Sequence, residues 1–185
     1  MKALGIVGSP RENGNTTVLV SEILSGAAEA GAETQLVNVA SLNIRGCQAC
    51  MYCKSHEACA VQDDMQSLYP LLHEADVVVI GSPMYFGQMT SQTKTFVDRL
   101  YALMGPNFSR RLAQGKRLIL AFAQGAADTS LWAAHVKATA DMLGHVGLTP
   151  AGTIIVGESG APGSIKEQPK ELAKAREMGK KVATP

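Results

Sequence analysis

Cys47, Cys50, Cys53 and Cys59 are the only cysteines in a chain of 185 residues, spaced C-x2-C-x2-C-x5-C within the loop spanning 46–62. Thiolates packed that closely can wrap one metal centre, and Cys-x-x-Cys steps are those an iron–sulfur cubane commonly uses. A four-cysteine zinc site is chemically allowed, although structural zinc usually holds paired Cys-x2-Cys knuckles set farther apart. A loop that binds no metal, or that forms disulfides once purified, is a third reading. His56, inside the loop, reads as facing water, and His73, His135 and His145 as surface or packing residues on helices.

A second group of residues has phosphate chemistry. In "GSPRENGNTT", Gly8 and Gly14 permit tight turns, while Ser9, Asn15, Thr16 and Thr17 set hydroxyl and amide donors beside the free N–H groups of a helix start. Such a loop holds a phosphate with little cationic help. It is neither a Walker loop nor a G-x-G-x-x-G dinucleotide fingerprint. A third group, Pro83, Met84, Tyr85, Phe86 and Gly87, offers flat or polarizable side chains and a glycine that lets backbone approach a planar ring. Gln124 and Gly125 lie in a small fourth loop able to reach the ring's other side.

These groups need elements to position them. "KALGIVG", "ETQLVNVA", "DVVVIGSP", "KRLILAFAQG" and "LTPAGTIIVGE" read as strands, the last broken early by Pro150. Helical spacing separates them. Val18, Leu19, Ile23, Ala27 and Ala30 share one face before a Gly31 cap, and Leu131, Ala134, Ala138, Met142 and Leu143 face inward on a later helix. "DDMQSLYPLLHEA" forms a helix with an acidic cap and an awkward interior Pro70. Strand–helix alternation predicts a flavodoxin-like three-layer α/β sandwich, a five-stranded parallel sheet of order 2-1-3-4-5, as a single domain over 1–185. Ligands in such sheets bind at the carboxyl ends of the strands, where all four loops emerge.

Composition limits the partners. A net charge of +1 and 18% charged residues predict no sequence-independent grip on nucleic acid or anionic lipid. Arg110–Arg111 and Lys180–Lys181 read as solvated surface. No targeting segment or span of roughly 20 apolar residues is seen, so no membrane is expected, and the expected location is the cytoplasm, where reduced thiols suit metal or redox work.

"GSPRENGNT", the CxxCxxC run before "DDM", "ADVVVIGSPMYF" and "TKTFVDRL" resemble the NADPH-dependent FMN reductase superfamily, and within it the iron–sulfur flavoproteins. The resemblance is strong over residues 1 to 125 and thins to a secondary-structure pattern beyond. It implies FMN phosphate at Ser9, Arg11, Asn15, Thr16 and Thr17, and ring contacts from Pro83 to Gly87 and around Gln124. It implies a 4Fe–4S cluster on Cys47, Cys50, Cys53 and Cys59, exchanging electrons with FMN and fed by a ferredoxin-like donor. The alternative is an NAD(P)H-dependent FMN or quinone reductase that never needs the cysteines. The electron acceptor is not identified. Asp98 and Arg99 belong to the same pattern without an assigned role. A homodimer or homotetramer is implied, with "MGPNFSRRLAQGK" and the cysteine loop as candidate contacts. Trp132 covers either the flavin or an interface.

Overall fold

The computed structural model describes residues 1–184. Its strands are β1 (Lys2–Val7), β2 (Glu33–Asn38), β3 (Val77–Tyr85), β4 (Gln88–Met89), β5 (Arg117–Ala123) and β6 (Thr149–Val156). Five of them run parallel in the order β2-β1-β3-β5-β6, and β4 folds back antiparallel on β3. This is the expected 2-1-3-4-5 arrangement with a small hairpin added at its carboxyl edge.

Central strands are apolar on both faces because both are covered. Helices α1 (Asn15–Glu29) and α6 (Pro169–Ala183) pack over Val7, Val79, Ile119 and Ala121. On the other face α3 (Leu68–Glu74), α4 (Ser91–Arg99) and α5 (Ala133–Val146) pack over Ile6, Ile80, Leu120 and Phe122. Each such buried valine, isoleucine, leucine or phenylalanine stabilises by about 1.5–3 kcal/mol. A single turn, α2 (Tyr52–Ser55), lies in the cysteine loop. Among the described residues no helix is long and apolar enough to cross a membrane.

Local expectations differ in informative ways. Gly31 takes φ +86° just past α1, as a helix-ending glycine should. Pro70 is not awkward: a 3-10 turn over Asp64–Ser67 precedes α3, so Pro70 falls in the first helical turn, where no N–H partner is required. Strand β6 carries Pro150 at the sheet edge, with a bulge opposite Leu118 and Ile119. Helix α5 buries Val136, Ala140, Leu143 and Val146, whereas Leu131 lies before the helix and Met142 is exposed. The stripe of Ala134, Ala138 and Met142 is therefore real but turned outward, because helical periodicity marks an apolar face without saying what covers it.

Candidate functional site

The first loop enters α1 through Gly14, whose position offers no side-chain cap. The first helix-start amide bonded back is that of Val18, which donates to the Gly14 carbonyl at 3.2 Å, leaving those of Asn15, Thr16 and Thr17 at the open helix end. Ser9, Asn15 and Thr16 are buried. A hydroxyl cluster holds this loop to the next one. Thr90 Oγ1 donates to the Gly8 carbonyl at 2.7 Å, the Thr90 N–H donates to Ser82 Oγ at 2.9 Å, and Thr93 Oγ1 donates to Ser82 Oγ at 3.0 Å. Gly8 serves that close packing rather than a turn, since a Cβ there would lie 1.9 Å from Thr93 Oγ1.

Ser9, Arg11, Gly14, Asn15 and Thr16 line one cavity with Pro83, Met84, Tyr85, Gln124 and Gly125. Ser159 and Gly160, from the loop after β6, complete it. Three expected contacts, Thr17, Phe86 and Gly87, are outside that lining. Asn15 spends its side chain on the last loop. Its Nδ2 donates to the Ser159 and Ala161 carbonyls at 2.8 and 2.7 Å, and its Oδ1 accepts the Ile165 N–H at 3.2 Å. Arg11 likewise donates to the Gly160 carbonyl at 2.9 Å. Both side chains fasten the last loop over the first.

Met84 pairs with Met89 and Tyr85 with Gln88, so Phe86 and Gly87 form a two-residue hairpin turn. Their φ values, +49° and +75°, are those of the primed turns that suit strand twist. A phenylalanine in this region is strained, and Phe86 is fully exposed at the tip. Trp132 lies against the turn: a Cβ on Gly87 would sit 2.7 Å from its ring. Gly87 thus admits the indole. Replacing it, Gly87→Val, combines that overlap with a left-handed backbone and should cost about 1–2 kcal/mol. A lowered thermal midpoint together with altered Trp132 fluorescence would report it.

All four cysteines border one small cavity, together with Val61, Arg99, Tyr101 and Ala102. Cys47 and Cys50 are exposed, Cys53 is buried and Cys59 is half-buried. Ala49 and Met51, on either side of Cys50, take φ +50° and +60°, curling the chain around that space. Among the described residues no three His, Cys, Asp or Glu side chains are already gathered around one metal position.

The loop is fastened by cations, of which Arg99 is fully buried and Arg111 and Lys54 are half-buried. Asp63 accepts the N–H groups of Arg45 and Met65 at 2.9 and 3.1 Å and both terminal nitrogens of Arg99 at 2.6 and 3.1 Å. Arg99 also donates to the carbonyls of Arg45 and Val61, at 2.8 and 3.2 Å, so the pair ties the two ends of the cysteine segment together. Burial pushes the Asp63 carboxyl up, but Arg99 and the two N–H groups outweigh it and hold it below the usual carboxylate range. Burial pushes the Tyr69 phenol up, and its hydroxyl donates to the Arg99 carbonyl at 3.1 Å. Arg111 is not solvated surface as expected: it donates to the carbonyls of Ala102, Cys53 and His56 at 2.7, 2.7 and 2.9 Å. Lys54 donates to the Tyr101 and Met104 carbonyls at 3.2 and 2.5 Å. His56 does lie outside the cavity, stacked on Tyr52 with ring centroids 3.8 Å apart.

The cysteine loop and the β3–β4 hairpin share a border. A groove of about 970 Å³ is lined by Cys47, Ala49 and Met51 on one side and by Gln88 and Met89 on another. Met104, Phe108 and Arg110 meet the outward stripe of α5, Ala138 and Met142, across the same groove. The two segments expected as contacts between copies therefore lie side by side.

The family model described as NADPH-dependent FMN reductase matches residues 1–161. This chain belongs to that family. An iron–sulfur flavoprotein of Methanocaldococcus jannaschii is 35% identical over 99% of this chain and 96% of its own length. One of Methanosarcina thermophila is 30% identical over 92% and 85%. Family membership on the iron–sulfur flavoprotein branch follows, and with it flavin-dependent oxidoreductase activity. The solved NAD(P)H:quinone oxidoreductase of Methanothermobacter marburgensis superposes with a TM-score of 0.79 over 100% of this chain and 98% of that one, at 16% identity, which establishes a shared fold.

The residues present fit the two groups the family implies. Gln124 Oε1, in the cavity lining, is buried without a hydrogen-bond partner, and three amides stand free at the start of α1; the equally unpartnered Thr17 Oγ1 lies outside that lining. The amides suit a phosphate, and Gln124 suits a polar planar ring. Four thiols around one cavity are the donor set of an iron–sulfur cluster.

Some partners were not found by sequence reasoning. Ser159 and Gly160 sit in a Gly- and Pro-rich stretch with no motif of its own, although the loop after the last strand must emerge at the same edge. Arg99 and Tyr101 carry no spacing signal toward the cysteines, because they reach them across the fold from α4 and the turn that follows.

Proposed function

We propose that this chain is an FMN-dependent reductase whose electrons come from NAD(P)H, with a quinone-like or flavin acceptor. The observation that carries the reading is the single cavity shared by the end of β3 and the loops after β1, β5 and β6, with unbonded amides at its helix end. Bound there, FMN would supply both two-electron and one-electron chemistry. Ser9, Thr16 and the α1 amides would hold its phosphate; Pro83, Met84, Tyr85 and Gln124 would flank its ring. Exposed Tyr85 and Phe86 offer aromatic faces to an incoming nicotinamide at the same rim. With no G-x-G-x-x-G segment in the sequence, nicotinamide would enter and leave by that mouth, alternating with the acceptor.

A second reading is favoured by the four cysteines lining one cavity beside the hairpin groove. Cys47, Cys50, Cys53 and Cys59 would hold a 4Fe–4S cluster able to exchange single electrons, with a ferredoxin-like protein as donor. The names of the similar archaeal proteins support this reading. A second copy of this chain is the occupant assigned to the groove, since Met51, Phe108 and Met142 expose apolar surface along it. Sedimentation of the purified protein as a dimer or tetramer supports that assignment, and a monomer overturns it.

Anaerobically prepared protein and a variant with all four cysteines changed to alanine separate the readings. Both should retain FMN, and only the unaltered protein should carry iron and sulfide. NADPH or NADH turnover that survives in the variant supports the reductase reading. Flavin reduction that occurs only with a ferredoxin-like donor and only with the cysteines intact supports the second.

A further inference from the structure

Arg99 is one of the largest fully buried side chains in the protein, 1% exposed. Four of its five N–H groups are spent on Asp63 and on the carbonyls of Arg45 and Val61. The fifth, on Nε, is buried and has no partner. Leaving such a donor unmet is costly, and more so on a charged group. Among the described residues lining the cysteine cavity, Arg99 is the one with a charged side chain. Asp63 does not line it, so the cation fronts the cavity and its carboxylate stands behind. The neighbouring cations Lys54 and Arg111 spend their donors on carbonyls and do not line the cavity either.

We propose that Arg99 is a positioning residue for the cysteine cavity, donating its Nε–H to a sulfur of the cluster held there and raising that cluster's reduction potential. The proposal rests on the cluster reading above. Adding one electron to the cluster adds one negative charge, which the guanidinium stabilises, and a hydrogen bond to sulfur acts in the same direction. The Asp63 clamp fixes the guanidinium plane, a geometry that lysine's rotatable ammonium does not reproduce.

Redox titration of anaerobic holoprotein with mediator dyes, followed by electron paramagnetic resonance of the reduced cluster, tests this. Arg99→Lys keeps the charge but lacks Nε–H. The double variant Asp63→Asn, Arg99→Met removes both buried charges, so no unpaired ion is left to unfold the chain. The midpoint should fall from wild type to Arg99→Lys and further to the double variant. For the double variant the reduced-to-oxidised ratio at fixed potential should drop about tenfold or more, equivalent to about 59 mV for one electron. Iron, sulfide and FMN per chain should match wild type in Arg99→Lys, which keeps a cation on Asp63; the double variant, which removes the tie between the loop ends, is read on the molecules that retain iron. If the wild type itself contains no iron and sulfide, the cluster reading fails. If it is loaded and both variants titrate as wild type does, the role given to Arg99 fails while the cluster reading stands. A folded Arg99→Lys protein that has lost its iron also overturns it, because a tuning contact leaves loading intact.

Discussion

Asp63→Asn should destabilise the protein by about 3–5 kcal/mol, the cost of leaving a buried guanidinium unpaired. The substitution leaves Arg99 facing an amide in a site where both side chains are 1% exposed. It also weakens the acceptor that holds Arg45 and Met65, so the ends of the cysteine segment are released together. Urea titration at neutral pH measures the loss. Acid should mimic it in the unaltered protein. The Asp63 carboxyl is held below its ordinary value in the fold, so the stability it adds is complete above the unfolded value of about 3.9. That contribution disappears as pH falls through the lower folded value. In the Asp63→Asn variant this part of the acid dependence should be absent. A variant as stable as wild type, with an unchanged acid limb, would show that the clamp contributes nothing net.

Asn15→Leu should be the second costly change, about 3 kcal/mol. It strands the Ser159 and Ala161 carbonyls and the Ile165 N–H, three groups in a buried or half-buried setting, each worth about 1–3 kcal/mol when unmet and partly rescued by water. FMN affinity should fall with it, because Ser159 and Gly160 complete the cavity wall that Asn15 holds in place. A weakening of about tenfold corresponds to about 1.4 kcal/mol. Flavin fluorescence on titration into the apoprotein reads this directly. Asn15→Asp, which keeps the acceptor for Ile165 but loses the two donors, should lie between. If Asn15→Leu binds FMN as tightly as wild type, the last loop is not part of the flavin site.

The sequence is most readable where burial dictates residue type. Val77, Val78, Val79 and Ile80 announce a covered central strand, and strand–helix alternation fixes the sheet order. Carboxyl-edge logic correctly gathers Ser9, Tyr85 and Gln124 into one neighbourhood. It is less readable where a residue acts through distance in the fold. Asn15 has the composition of a phosphate ligand, yet its side chain is a brace, because the partners that claim it lie about 150 positions onward. Arg111 looks like one half of a solvated basic pair, yet it satisfies three carbonyls under the cysteine loop. The β3–β4 hairpin was hidden because its turn places phenylalanine where asparagine or glycine is the usual signal. Ala138 and Met142 show the other limit: an outward apolar stripe has the same period as an inward one.

The protein contains one tryptophan, Trp132, and it rests on the backbone of the hairpin tip that carries Phe86. Any molecule that tilts this tip on arrival must disturb the indole as well. The chain thus carries its own optical reporter of traffic at the mouth, readable from ultraviolet emission with no label attached.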